Sequence, residues 1–152
     1  MLRERLSEGI RTGVVAAAAT IGVLIGFGIA RGAPLRPLNS IAHAAFGTRA
    51  YLMEGFDPVL TSVAVTVHLL SIVLWGIIFA LVAARLRGAA LLLGSLVLAV
   101  VAYIVDQLLI SERLKPGFET ALSTPEITVV YLVLALSLAL GLHAARLAKD
   151  RA

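Results

Sequence analysis

The chain has no cysteine. Disulfides, thiolate metal sites, iron–sulfur ligation and cysteine nucleophiles are therefore excluded together. Charge is scarce as well: Asp, Glu, Lys and Arg make up 14% of the residues, against about a quarter in ordinary soluble domains. The formal net charge of +4 does not point to nucleic acid. The basic residues sit in short clusters beside apolar blocks, not along one continuous basic face with aromatic or donor partners. Enzyme signatures are missing too, with no phosphate-cradling glycine loop, no G-x-S-x-G, no H-E-x-x-H and no metal-ligand cluster. Lipid-facing hydrolysis would need a nucleophile, a base and an oxyanion site to converge, and the outer loops offer only Asn39, His43 and Glu119. The sequence predicts a protein that is not an enzyme.

What remains is apolar. Hydrophobic residues make up 60% of the 152, with a mean hydropathy of +0.99, and they fall into long blocks instead of short alternating patterns. Four blocks stand out, at residues 12–30, 59–84, 89–110 and 127–145. Each reaches or exceeds the roughly 20 residues that a helix needs to cross about 30 Å of hydrocarbon. Their ends carry helix punctuation. Asp57 before Pro58 reads as an N-cap with proline at the first helical position. Ser123, Pro125 and Glu126 resemble a capping box, and Lys115, Pro116 and Gly117 form a turn before it.

Orientation follows from the basic flanks. One side holds Arg3, Arg5, Arg11, Arg85, Arg87, Arg146, Lys149 and Arg151, and the other holds Arg31, Arg36, Arg49, Arg113 and Lys115. Eight against five predicts both termini on the cytoplasmic side of an inner membrane. The first block is longer than the 7–15 apolar residues of a cleavable signal, so it reads as a retained span. Between spans 1 and 2, residues 31–57 are too short for a domain, yet Leu38, Ile41, Ala42, Ala45 and Phe46 recur at helical spacing. The expected fold is thus an all-α integral membrane protein: a four-transmembrane-helix bundle in one membrane domain, residues 1–152, with a short interfacial helix lying at or dipping into the outer interface.

Polar residues inside the spans are the functional candidates, because they are costly in lipid. Thr61, His68 and Trp75 repeat every seven residues on the second span with Ser71 beside them. His68 lies roughly 13 Å below the outer end at 1.5 Å per residue. Asp106 lies one turn from the outer end of the third span, where it reaches water or pairs with Arg113. Its depth differs from that of His68 by roughly 7 Å, so contact between them requires tilt or stagger. Gly22 and Gly26 form a small-xxx-small pattern on the first span, with Ala18 and Gly28 nearby. This predicts close helix packing, within the chain or with another subunit. No cofactor is expected; the alternative is haem b held by His43 and His68, because His143 sits at the opposite membrane face.

Several of these residues also resemble an uncharacterised family of small bacterial four-span inner-membrane proteins, over roughly residues 39–141. Asn39, His43 and Gly47 resemble its N-x-x-x-H-x-x-x-G segment. Thr66, His68, Ser71 and Trp75 resemble its second-span stripe. Asp106, Arg113, Pro116, Gly117, Phe118 and Glu119 resemble its third-span acid and following loop, with Tyr131 in the last helix. The chain departs from the pattern at Gly76, Ala80 and Ser111. The resemblance implies the topology and an outer-side cluster of Asn39, His43, His68, Ser71, Trp75, Asp106, Arg113 and Glu119, and no reaction. Tiny soluble regions and small-residue helix faces lead to the expectation of a non-catalytic accessory or assembly subunit of a larger, plausibly respiratory or otherwise energy-conserving, membrane complex, with the bilayer and other membrane subunits as partners. The alternative is an autonomous small transporter, or a haem-binding protein, that uses the outer-side His/Asp cluster.

Overall fold

A computed structural model describes residues 2–150, with side chains through residue 148. Of the residues in the charge bias, Arg151 and the side chain of Lys149 lie outside the described residues. The chain is an all-α bundle of four helices long and apolar enough to cross a membrane: Leu2–Ala30, Pro58–Val82, Gly88–Leu109 and Thr124–Ala148. The elements are α1 (Leu2–Ala30), α2 (Arg36–Asn39), α3 (His43–Phe46), α4 (Thr48–Leu52), α5 (Pro58–Val82), α6 (Gly88–Ile104) and α7 (Thr124–Asp150), with 3-10 turns at Ser40–Ala42, Glu112–Leu114 and Phe118–Thr120. A π turn, Val105–Leu109, extends α6.

Helix starts follow the predicted chemistry. The Asp57 carboxylate accepts hydrogen bonds from the amides of Val59 at 3.0 Å and Leu60 at 2.8 Å, with Pro58 in the first turn of α5. At the head of α7, Glu126 reaches back to accept from the Ser123 amide at 2.8 Å and the Ser123 hydroxyl at 2.5 Å. The inner end of α5 is capped from another span. Buried Arg146 of α7 donates to the carbonyls of Ala83 and Leu86, both at 2.9 Å, adding charged donors to the turn that follows α5.

The bundle is organised around α1. Glycines bring α5 against it, because a Cβ on Gly13 would sit 2.4 Å from Val73 Cα. One on Gly76 would sit 2.6 Å from Gly13 N and from Gly9 O. No side chain fits such a backbone approach, which accounts for glycine at position 76. On its other flank α1 receives α7, where Gly141 faces Thr12, and α6 packs mainly on α7. Intramolecular packing through Gly22 and Gly26 does not occur. Neither is buried, and a Cβ at either would meet nothing within 4 Å. The glycine contacts of α1 with α5 lie nearer its inner end, at Gly9 and Gly13, where the helix continues about ten residues beyond the apolar block.

The outer segment is not one continuous helix. It runs α2, a 3-10 turn, α3 and α4, broken at Gly47 with φ of +57°, a conformation glycine adopts without a Cβ penalty. The tighter 3-10 turn advances the side chains faster than an α-helix. Leu38, Ile41 and Ala42 therefore enter the core, while Ala45 rotates out to the surface. The segment dips into the bundle and is pinned by Asn39, which is fully buried. Its amide nitrogen donates to the carbonyls of Met53 at 3.0 Å and Gly55 at 2.8 Å, and its oxygen accepts from the Thr61 hydroxyl at 2.8 Å.

Candidate functional site: a lateral cleft between the second and third spans

Because α5 and α6 pack on different neighbours, they barely touch one another. At their outer ends, between α5 and the π turn that extends α6, lies a cavity of about 170 Å³ whose walls include His68, Ser71 and Trp75 from α5, Asp106 from the π turn, Tyr131 from α7 and Phe118 from the loop before α7. Val67 is 42% exposed on its rim. Ser71, midway along α5, is exposed as well, so the cavity opens on the flank of the bundle and not at its end.

His68 is buried at the back of the cleft, 2.8 Å from the Thr20 hydroxyl of α1 through Nε2. Thr20 lies 2.9 Å from the Ala16 carbonyl and 3.1 Å from that of Ala17. Carbonyl oxygens only accept, so the threonine proton is spent on its own helix and His68 donates from Nε2.

Most hydroxyls in these spans turn back onto their own helix: Ser62, Thr66, Ser95, Thr128 and Ser137 all donate to carbonyls three or four residues earlier. Ser71 makes no hydrogen bond among the described residues, and neither does the indole N–H of Trp75. Both lie on the cavity wall. The facing wall comes from the end of α6, where the amide of Ile110 bonds the Val105 carbonyl at 3.0 Å across a π turn. Such turns are rare and recur at functional sites. Inside it, Asp106 accepts from the Tyr131 hydroxyl at 3.1 Å, and Tyr131 meets Tyr103 edge to face at 5.3 Å. The expected pairing of Asp106 with Arg113 does not form: the turn ends at Ile110 in an extended conformation, and Arg113 stands exposed on the 3-10 turn beyond it. Lys115 also borders the cavity but pairs with Glu112 at 2.6 Å, and that carboxylate holds its amine above the usual lysine range.

The predicted outer-side cluster thus divides in two. His68, Ser71, Trp75 and Asp106 line the cleft. Asn39, His43, Arg113 and Glu119 belong to the outer cap. His43 stacks on Tyr51 at 5.1 Å and directs Nδ1 to the Ser40 carbonyl at 3.1 Å and Nε2 to that of Glu112 at 3.3 Å. Gly117, at φ of +88°, lets the loop close over it, since a Cβ there would lie 2.6 Å from His43 Nδ1. Glu119 buries one carboxylate oxygen without a partner. Sequence reasoning missed Thr20 as the partner of His68 and Lys115 as a cleft residue, and it placed Tyr131 only through a resemblance. The one available signal for Thr20 was a hydroxyl in the middle of an otherwise apolar first span.

Among the described residues, no group of three His, Asp or Glu side chains is arranged to hold a metal ion. Compared with models of protein families, with curated proteins and with solved structures, the chain matches none.

Proposed function

We propose that this protein works by holding a small amphipathic molecule in the cleft between α5 and α6, as an autonomous membrane binding or transport protein that performs no chemistry. One observation carries the reading: the cleft opens at the exposed mid-span residues Val67 and Ser71, and among the described residues the hydroxyl of Ser71, the indole of Trp75 and a carboxylate oxygen of Asp106 have no hydrogen-bond partner. Polar groups at this depth are costly unless something satisfies them. A ligand entering from the membrane would do so while its apolar part stays in lipid. The charge bias of the flanks supports a bacterial inner membrane with both termini cytoplasmic. Haem is the weaker version of this reading, because both nitrogens of His43 face backbone carbonyls and the ring does not border the cavity that His68 lines.

A second reading is favoured by a different observation. Ala18, Gly22, Gly26 and Ala30 form a small-residue face at four-residue spacing on α1 that no other helix covers, of the kind that admits another helix backbone. It supports an accessory or assembly subunit of a larger, plausibly energy-conserving, membrane complex. Gentle purification from the native membrane, followed by identification of extracted small molecules and co-purifying chains, separates the two. A small molecule retained by the wild type and lost in Ser71→Phe, which fills the cleft, supports the binding reading. A stoichiometric partner chain with no retained molecule, released by Gly22→Leu, supports the subunit reading and sinks the first.

A further inference from the structure

The chemistry of the cleft narrows what it holds. Asp106 sits near the outer end of its span with a neutral phenol as its hydrogen-bond partner. Among the described residues no lysine, arginine or histidine forms an ion pair with it. The cation closest to serving is Lys115 on the same cavity wall, and its charge is already met by Glu112 at 2.6 Å. Arg113 is exposed and does not border the cavity. The Lys115–Glu112 pair sums to no net charge, so among the described residues Asp106 is the carboxyl group on the cavity walls that has no cationic partner. A carboxylate so placed needs a counter-charge or a proton. The same walls present three aromatic rings, Trp75, Phe118 and Tyr131, a residue class that attracts cations and accepts apolar groups. An anionic headgroup would be repelled. A neutral ring would leave the carboxylate unmatched.

From this juxtaposition we infer that the cleft between α5 and α6 binds a lipophilic monocation, an ammonium group carried on an apolar or aromatic body, with its charge against Asp106 and its body against Trp75 and Tyr131. The inference rests on the reading of the cleft as the working site. The cavity of about 170 Å³ corresponds to roughly six waters' worth of space, and with its open flank it admits a compact aromatic ammonium. The lateral opening lets such a molecule enter from the outer half of the bilayer without crossing an aqueous pore.

Trp75 is the only tryptophan in the chain, so its fluorescence reports on the cleft directly. The purified, detergent-solubilised protein is titrated with benzyltrimethylammonium and, separately, with neopentylbenzene, which replaces the charged nitrogen by carbon at the same shape. The expected result is a saturable change with the cation and at least roughly tenfold weaker binding of the neutral probe. Asp106→Asn should erase that preference and Asp106→Glu should keep it, each checked by monodisperse elution and helical circular dichroism. Should Asp106→Asn fail to fold, the comparison of the two probes on the wild type decides alone. Equal binding of both probes overturns the cation assignment and leaves the cleft as a site for neutral molecules. Failure of both probes to saturate, confirmed by equilibrium dialysis, overturns the cation assignment and the cleft reading together.

Discussion

Replacing Gly76 by alanine tests how the bundle is built. A Cβ at this position would stand 2.6 Å from Gly13 N, 2.6 Å from Gly9 O and 2.7 Å from Gly13 Cα. All three are backbone atoms of α1, so no side chain can swing aside and the two spans must separate. Overpacking of this kind costs about 1–3 kcal/mol, offset by up to about 1 kcal/mol because alanine is the better helix former. A net loss of about 1–2 kcal/mol is expected, rising with side-chain size through Gly76→Val. The control is Gly26→Ala, where the added Cβ meets nothing within 4 Å. There the propensity gain stands alone, and stability should be unchanged or rise by up to about 1 kcal/mol. Reversible unfolding in mixed micelles of dodecyl sulfate reads both, tracked by the fluorescence of Trp75, the neighbour of Gly76. If Gly76→Ala matches the wild type, or if Gly26→Ala costs as much as Gly76→Ala in monomeric protein, the close approach of α1 and α5 is not what holds the inner half of the bundle.

Arg146→Met removes two charge-assisted bonds to the Ala83 and Leu86 carbonyls and should cost about 2–4 kcal/mol in the same unfolding assay; a loss below about 0.5 kcal/mol would show that the cap is ornamental. Asn39→Ala strands the carbonyls of Met53 and Gly55 and the Thr61 hydroxyl around a fully buried site. It should cost about 2–4 kcal/mol, with Asn39→Asp no better because a carboxylate cannot donate to carbonyls, and a stable Asn39→Asp refutes the network. The Asp57 carboxyl is held below the usual carboxylate range, chiefly by the Leu60 and Val59 amides and by Arg49. A depressed folded value means the stabilisation is complete above the unfolded value of about 3.9 and is lost as pH falls through the folded one. The thermal midpoint of the wild type should therefore exceed that of Asp57→Ala at pH 6 and the gap should narrow as the pH is taken below the unfolded value of about 3.9, and a constant gap throughout the acid titration would rule out the charged cap.

Much of the fold was legible because its signals are local. Asp57 with Pro58, and Ser123 with Glu126, act on amides within a turn of themselves, so spacing alone places them. The apolar blocks were legible for the same reason. Glycine packing was not. Gly22–Gly26 and Gly9–Gly13 have the same four-residue spacing, and only the first lies wholly in the apolar block of α1. Which pair meets a neighbour depends on where Gly76 falls on α5, a fact of tertiary register. The site divides in the same way. The seven-residue repeat on α5 places His68 and Trp75 on one face, whereas the partner of Asp106 depends on the π turn. One additional residue per turn rotates the downstream chain by most of a residue step, and here Asp106 meets Tyr131 while Arg113 lies beyond the turn.

The cleft itself stems from where the chain spends its close contacts. Glycines hold α5 to one flank of α1, and Gly141 against Thr12 holds α7 to another, so α5 and α7 are set by a common neighbour more than by each other. The third span packs mainly on α7 and meets α5 near their shared inner turn, where a Cβ on Gly94 would lie 2.7 Å from Leu86 Cδ1 and 4.0 Å from Phe79 Cε2. Pinned at that end and held to different partners above it, the two helices leave the outer half between them open. An opening so placed is a consequence of packing, and most of its lining is apolar, which suits the body of a lipophilic ligand; an entirely apolar lining would have left it a site for lipid tails alone. Ser71, Trp75 and Asp106 instead put hydrogen-bonding capacity and a charge into the gap. The glycine contacts and the caps do not involve those three side chains; Asp106 is tied to the bundle through Tyr131 and Trp75 packs against the core, while the polar capacity they leave open at this depth is what the binding reading accounts for.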